Sequence, residues 1–202
     1  VIGEMNFNFK EIKIDSNSNL ILVTGGARSG KSCFAERLVA EIGQNIAYIA
    51  TAIPFDEGMR DRIKKHRESR PSEWTTYEAY RDVYKSITDI ARNHDTMLLD
   101  CITIMVTNLM FENGDIDWEK ITREEIDEIE EMIRKQIELL IENIKKNNLN
   151  AVLVTNEIGM GLVPENRLAR IFRDIAGRIN QLIAREADFV YLTVSGIPIK
   201  IK

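Results

Sequence analysis

Five short apolar runs frame this chain. They are Leu20-Ile21-Leu22-Val23, Ile46-Ala47-Tyr48-Ile49-Ala50, Thr96-Met97-Leu98-Leu99-Asp100, Ala151-Val152-Leu153-Val154-Thr155 and Phe189-Val190-Tyr191-Leu192-Thr193-Val194. Runs that are apolar on both faces are expected of strands buried in a parallel sheet. Between them the hydrophobic period changes to that of a helix. Phe34, Leu38 and Ile42 share one face after the first run. Thr122 and Glu125 form a capping box, and the helix it opens carries Ile126, Ile129, Ile133, Ile137, Leu140 and Ile144 on one side as far as about Lys146. A helix starting at Pro164 carries Leu168, Ile171, Ile175, Ile179 and Leu182. Residues 81–92 and 102–111 read as further helices, and residues 56–70 as one that stops at Pro71. Trp74-Thr75-Thr76-Tyr77 suits a short strand. Ser195-Gly196 suits a turn into an antiparallel edge strand at residues 197–201, where Pro198 is tolerated. Strands alternating with helices predict an α/β fold, with a mostly parallel sheet covered on both faces. Residues 1–19 read as an N-terminal extension, with Phe7, Phe9, Ile12 and Ile14 alternating as in a short hairpin. Residues 20–202 read as a single domain.

The first strand leads into Gly25-Gly26-Ala27-Arg28-Ser29-Gly30-Lys31-Ser32, which fits the phosphate-binding P-loop pattern. A strand, a glycine loop and a helix turn successive backbone N–H groups and a helix N-terminus towards an anion. Lys31 is placed to reach the β- and γ-phosphates, and Ser32 to offer its hydroxyl to Mg²⁺. The expectation is therefore a P-loop NTPase fold with its ligand beyond the carboxyl ends of the strands. Thr51, Asp100 and Asn156-Glu157 also follow strands directly and share that edge.

Charge and cysteine content narrow the setting. A net charge of −5 gives no global attraction to nucleic acid or to an acidic membrane. Cys33 and Cys101 have no partners at metal-ligand spacing, so a reduced, cytoplasmic setting is the expectation. No apolar run is long enough to cross a bilayer, and residues 1–19 lack the continuous apolar core of a signal peptide.

Three further stretches carry chemistry. Asp100 ends an apolar strand in the Walker B manner, where its carboxylate can hold Mg²⁺ beside Ser32; the alternative is a cap on the helix that follows. Residues 60–70 pack six Lys/Arg around His66, a density that suits a triphosphate. From the residues alone His66 reads as an incidental histidine on a solvated basic face, although histidine can attack phosphorus. His94 reads as a loop residue. Asn156 to Arg167 combines Gly159 and Gly161 with a following helix that bears Arg167, Arg170, Arg173 and Arg178. Both a mobile loop with an Arg-lined face and an ordinary connection remain open there.

Taken together, these stretches resemble the bifunctional adenosylcobinamide kinase / adenosylcobinamide-phosphate guanylyltransferase family. The matching residues are 21–32, Tyr48 to Thr51, Arg62-Ile63, His66, Arg70-Pro71, Trp74 to Thr76 with Glu78, Leu98 to Thr103, Met105 to Leu109, Val154 to Gly161, Pro164 to Arg170, Phe172 to Arg178, Asn180-Gln181 and Val194 to Gly196. The resemblance implies two reactions: phosphorylation of adenosylcobinamide by a nucleoside triphosphate, then transfer of GMP from GTP. It makes His66 the guanylylated nucleophile, with Arg67, Glu68, Ser69 and Arg70 holding nucleotide. It also brings Ala50, Thr51, Ala52, Glu78 and Asp100 to GTP or its metal, and it implies a homotrimer. Asp100 departs from relatives that carry glutamate there. No guanine-reading N-K-x-D motif occurs in the chain, so guanine preference rests on the resemblance, as does the choice of GTP, with ATP as a second donor. The competing readings are a small-molecule kinase without guanylyl transfer and a P-loop switch protein.

Overall fold

The computed structural model describes residues 19–53, 71–112, 114 and 116–202. The basic run at 60–70, the helix expected at 56–70 and the hairpin expected in the extension lie outside the described residues.

Seven strands form one sheet: β1 (Leu20–Gly25), β2 (Ile46–Ala50), β3 (Thr75–Glu78), β4 (Thr96–Asp100), β5 (Asn150–Val154), β6 (Phe189–Val194) and β7 (Ile197–Lys200). Their order is β3-β2-β4-β5-β1-β6-β7. Every pairing is parallel except β6 with β7, the antiparallel edge anticipated at the end of the chain. The helices are α1 (Lys31–Ile42), α2 (Ile87–Asn93), α3 (Ile102–Phe111), α4 (Arg123–Lys146) and α5 (Arg167–Glu186).

Alternate residues of each strand feed two cores, as a period of two demands. Leu20, Leu22, Met97, Leu99, Ala151, Leu153 and Val190 face α2, α3, α4 and α5. Ile21, Val23, Tyr48, Leu98, Val152, Val154 and Tyr191 face α1, which contributes Phe34, Ala35, Leu38 and Val39. Both faces are covered, which is why the strands read as continuous apolar runs.

The capping box forms as expected. The Glu125 N–H donates to Thr122 Oγ1 at 3.2 Å, and the Thr122 N–H donates to Glu125 Oε2 at 2.8 Å. Two boundaries differ from the pattern-based expectation. The helix expected from Pro164 begins at Arg167, because Asn166 is the better cap: its Oδ1 accepts the Ala169 N–H at 2.9 Å. The helix expected over 81–92 is a 3₁₀ turn, Val83–Ser86, followed by α2. Asp82 precedes it in the left-handed region, φ 53°. The residue is clamped there by Gln136 of α4, which accepts its N–H and donates to its Oδ1, both at 2.9 Å.

A P-loop crevice at the carboxyl ends of the strands

Register places the candidate residues on one edge of the sheet. Ala50 lies opposite both Glu78 and Asp100, and Asp100 lies opposite Val154. Val154 pairs with Val23, two residues before Gly25. Thr51 and Ala52 follow directly. One strand, β5, separates the Asp100 strand from the P-loop strand.

The loop turns out of β1 at Gly25. The Ser29 N–H donates to Gly26 O at 3.2 Å, closing a turn over Ala27 and Arg28, and α1 begins when the Phe34 N–H meets Gly30 O at 2.9 Å. Gly26, Ala27 and Arg28 are exposed, Ser29 is buried, and Lys31 and Ser32 are half-buried. Gly30 sits at φ 90°, a conformation that side chains oppose. At Gly25 the constraint is space: a Cβ would lie 2.5 Å from the Thr193 carbonyl oxygen and 2.5 Å from Ser29 Oγ. Gly25→Ala is therefore expected to destabilise the protein by about 1–3 kcal/mol. Thermal unfolding checks this, at roughly 2–4 °C per kcal/mol for a domain of this size; an unchanged Tm would mean that the loop yields without cost.

The wall behind the loop comes from the far end of the chain. Ser195 and Gly196 both have positive φ, 50° and 86°, and turn β6 into β7. The Gly196 N–H donates to Ser29 O at 2.7 Å, and a Cβ on Gly30 would come within 3.0 Å of Gly196 Cα.

Lys31 Nζ donates to Gly26 O at 3.2 Å. Asp100 is half-buried and accepts from the Tyr48 hydroxyl at 3.3 Å. The hydroxyl of Ser32 and the carboxylate of Asp100 are hard oxygen donors, the chemistry that Mg²⁺ would require of side chains here. Among the described residues no three His, Cys, Asp or Glu side chains form an all-protein metal cage. Thr51 is committed internally: its hydroxyl donates to Cys101 O and accepts the Cys101 N–H, both at 2.8 Å. Its carbonyl accepts from Asn108 Nδ2 at 2.7 Å. Burial, with the Asp100 charge beside it, pushes the Cys101 thiol up to about 12 and keeps it a neutral packing group. His94 is structural; its ring packs edge-on against Tyr77, and its Nδ1 lies 3.0 Å from Ile90 O. His66, Arg67, Glu68, Ser69 and Arg70 lie outside the described residues.

Sequence reasoning missed a buried polar network beneath the crevice. Thr103 Oγ1 and Thr155 Oγ1 are 3.1 Å apart, and Thr155 donates to Asn180 Oδ1 at 2.7 Å. Asn180 Nδ2 donates to Asn156 O at 3.0 Å, and the Asn156 N–H donates to Thr103 Oγ1 at 2.7 Å. The available signal was an asparagine next to Ile179 on the buried stripe of α5. Beyond this network the Glu157 N–H donates to Gly25 O at 3.0 Å, which ties the end of β5 to the start of the P-loop.

The arginines of α5 divide by task. Arg167 donates to the carbonyls of Glu119 and Ile121, and Arg170 to those of Pro164 and Glu165. Arg178 pairs with Glu130 of α4, which raises its pKa. Among the described residues Arg173 reaches only its neighbour Asp174, at 3.4 Å, and it lines a groove of about 800 Å³ between α5, the end of β1 and the 157–163 loop. The Arg-lined face is thus mostly a set of internal braces.

Comparison with known proteins places this geometry. The protein named bifunctional adenosylcobalamin biosynthesis protein CobU of Salmonella typhimurium is 49% identical over 91% of this chain and 99% of its own length. The protein of that name from Escherichia coli is 47% identical over 91% of this chain and 99% of its own. The bifunctional adenosylcobalamin biosynthesis protein CobP of Pseudomonas aeruginosa is 37% identical over 90% of this chain and 96% of its own. A solved KaiC-like protein from Pyrococcus horikoshii aligns over 87% of this chain and 71% of that one, with 13% identity and a TM-score of 0.46. Residues 21–201, from the second residue of β1 to just past β7, match the family described as cobinamide kinase / cobinamide phosphate guanyltransferase, and the chain belongs to that family.

Proposed function

We propose that this protein is a transferase of cobalamin biosynthesis with two activities. It phosphorylates the aminopropanol hydroxyl of adenosylcobinamide, then transfers GMP from GTP to the resulting phosphate to give adenosylcobinamide-GDP. The observation that carries the reading is a complete P-loop sharing one sheet edge with Asp100, in a chain whose family match runs from residue 21 to 201.

In the first reaction the triphosphate lies on the N–H groups of residues 26–32, and Lys31 spreads positive charge over the transferring phosphoryl group. Ser32 and Asp100 would hold Mg²⁺, which when bound neutralises charge on the β- and γ-oxygens. In the second reaction the His66 imidazole attacks the α-phosphorus of GTP, pyrophosphate leaves, and the acceptor phosphate displaces GMP from the histidine. The basic residues around His66 hold nucleotide phosphates. Thr51 positions the β2 and β4 ends rather than reacting itself. A homotrimer is the proposed assembly, and light scattering tests it.

Incubation with cobinamide and γ-labelled ATP or GTP, and separately with α-labelled GTP, tests the function. Label is expected on the corrinoid in both arms, and in the second also on the protein. Transfer of the γ-label alone would leave a kinase without guanylyl transfer. Hydrolysis with no corrinoid product would leave a P-loop switch protein.

A further inference from the structure

Glu157 has no task in the mechanism above, yet its backbone is tied to the start of the P-loop. β5 runs between β4, which ends in Asp100, and β1, which feeds the P-loop. Glu157 lies three residues past the end of β5, on the sheet edge shared by Asp100 and the P-loop. The backbone there is fixed by the Glu157 N–H on Gly25 O at 3.0 Å, by the Asn156 N–H on Thr103 Oγ1 and by Asn180 on Asn156 O. The Glu157 carboxylate has no hydrogen bond or ion pair among the described residues. It lines the groove of about 800 Å³ together with Thr24, Gly159, Arg173 and Gly177, a size that suits a large small-molecule ligand. Thr24, buried in the groove wall, also has a hydroxyl without a partner among the described residues. Gly161 and Gly177 border open space, since a Cβ at either would meet nothing within 4 Å. Met160 and Val163 are exposed at the rim.

We propose that this groove receives the hydroxyl-bearing arm of the phosphoryl acceptor, and that Glu157 is the general base of the kinase step. The proposal rests on the functional reading given above. The acceptor oxygen forms its bond to the γ-phosphorus, and the bond from that phosphorus to the β,γ-bridging oxygen breaks. The hydroxyl proton passes to the Glu157 carboxylate, and the nucleoside diphosphate leaves. An anchored carboxylate with no partner among the described residues is suited to take that proton.

The test compares wild type, Glu157→Gln and Glu157→Asp in cobinamide phosphorylation across pH. Glu157→Gln is expected to lower kcat by about 10²–10⁴-fold, the usual worth of general-base catalysis. The nucleotide KM stays within about threefold, and the acidic limb of the kcat/KM profile disappears. Glu157→Asp keeps that limb at a reduced rate, and it carries the test should the glutamine variant fail to fold. A Glu157→Gln enzyme with kcat within about threefold of wild type overturns the base role. So does a loss that appears equally in nucleotide affinity. A wild-type protein inert towards cobinamide overturns the functional reading instead, and the role of Glu157 with it.

Discussion

Lys31→Ala is expected to lower kcat for phosphoryl transfer by about 10²–10³-fold, the usual cost of removing one preorganised donor aimed at developing charge. The ammonium stands on the first residue of α1, half-buried, and its one described bond is a 3.2 Å contact to Gly26 O. That contact keeps it folded over the loop, ready to exchange a carbonyl for phosphate oxygens. Lys31→Arg is expected to rescue little, because a planar fork of five donors does not replace a compact point charge inside so tight a loop. Guanylylation of the protein should fall as well, since the proposal seats both reactions on one triphosphate. Single-turnover transfer of γ-label to cobinamide, run beside α-label retention on the protein, reads both. Phosphoryl transfer within about tenfold of wild type would separate the kinase from the P-loop.

His66→Ala should abolish covalent retention of α-label from GTP while leaving phosphorylation of cobinamide within a fewfold of wild type. The contrast comes from the chemistry. A phosphorus–nitrogen bond to the protein requires this nucleophile, whereas γ-transfer to a hydroxyl does not use it. The wild-type adduct should survive base and fall apart in acid, as phosphoramidates do. Equal labelling of the variant would remove His66 as nucleophile, and His94 would not replace it, with its ring held against Ile90 O and Tyr77.

How far the chain could be read depended on whether the information was local. The strand, glycine loop and helix from Leu20 to Ile42 are contiguous, so pattern and motif locate them together. The place of Asp100 at the end of β4 was legible because an apolar run ends on it. The start of α5 was misjudged because Pro164 and Asn166 are both good first-turn signals, and only the Asn166 bond to the Ala169 N–H decides between them. The break before α2 depends on Gln136, which lies in another helix. The Thr103, Thr155 and Asn180 network was invisible for the same reason: each is unremarkable locally, and only packing brings the three together. Glu157 was noticed as part of a stretch, but its bond to Gly25 is what gives it a place.

The contact of Gly196 with Ser29 also bears on how the protein comes to bind nucleotide at all. It joins the loop after β1 to the turn at Ser195-Gly196, and β6 must be seated on β1 before the contact can form. Such a closure carries the chain entropy of a very long loop and belongs to the slow, non-local part of folding. The phosphate cradle is thus completed by topology and not by its own eight residues. A chain in which the last hairpin has not docked possesses the motif without the site, so nucleotide affinity becomes a reporter of finished folding.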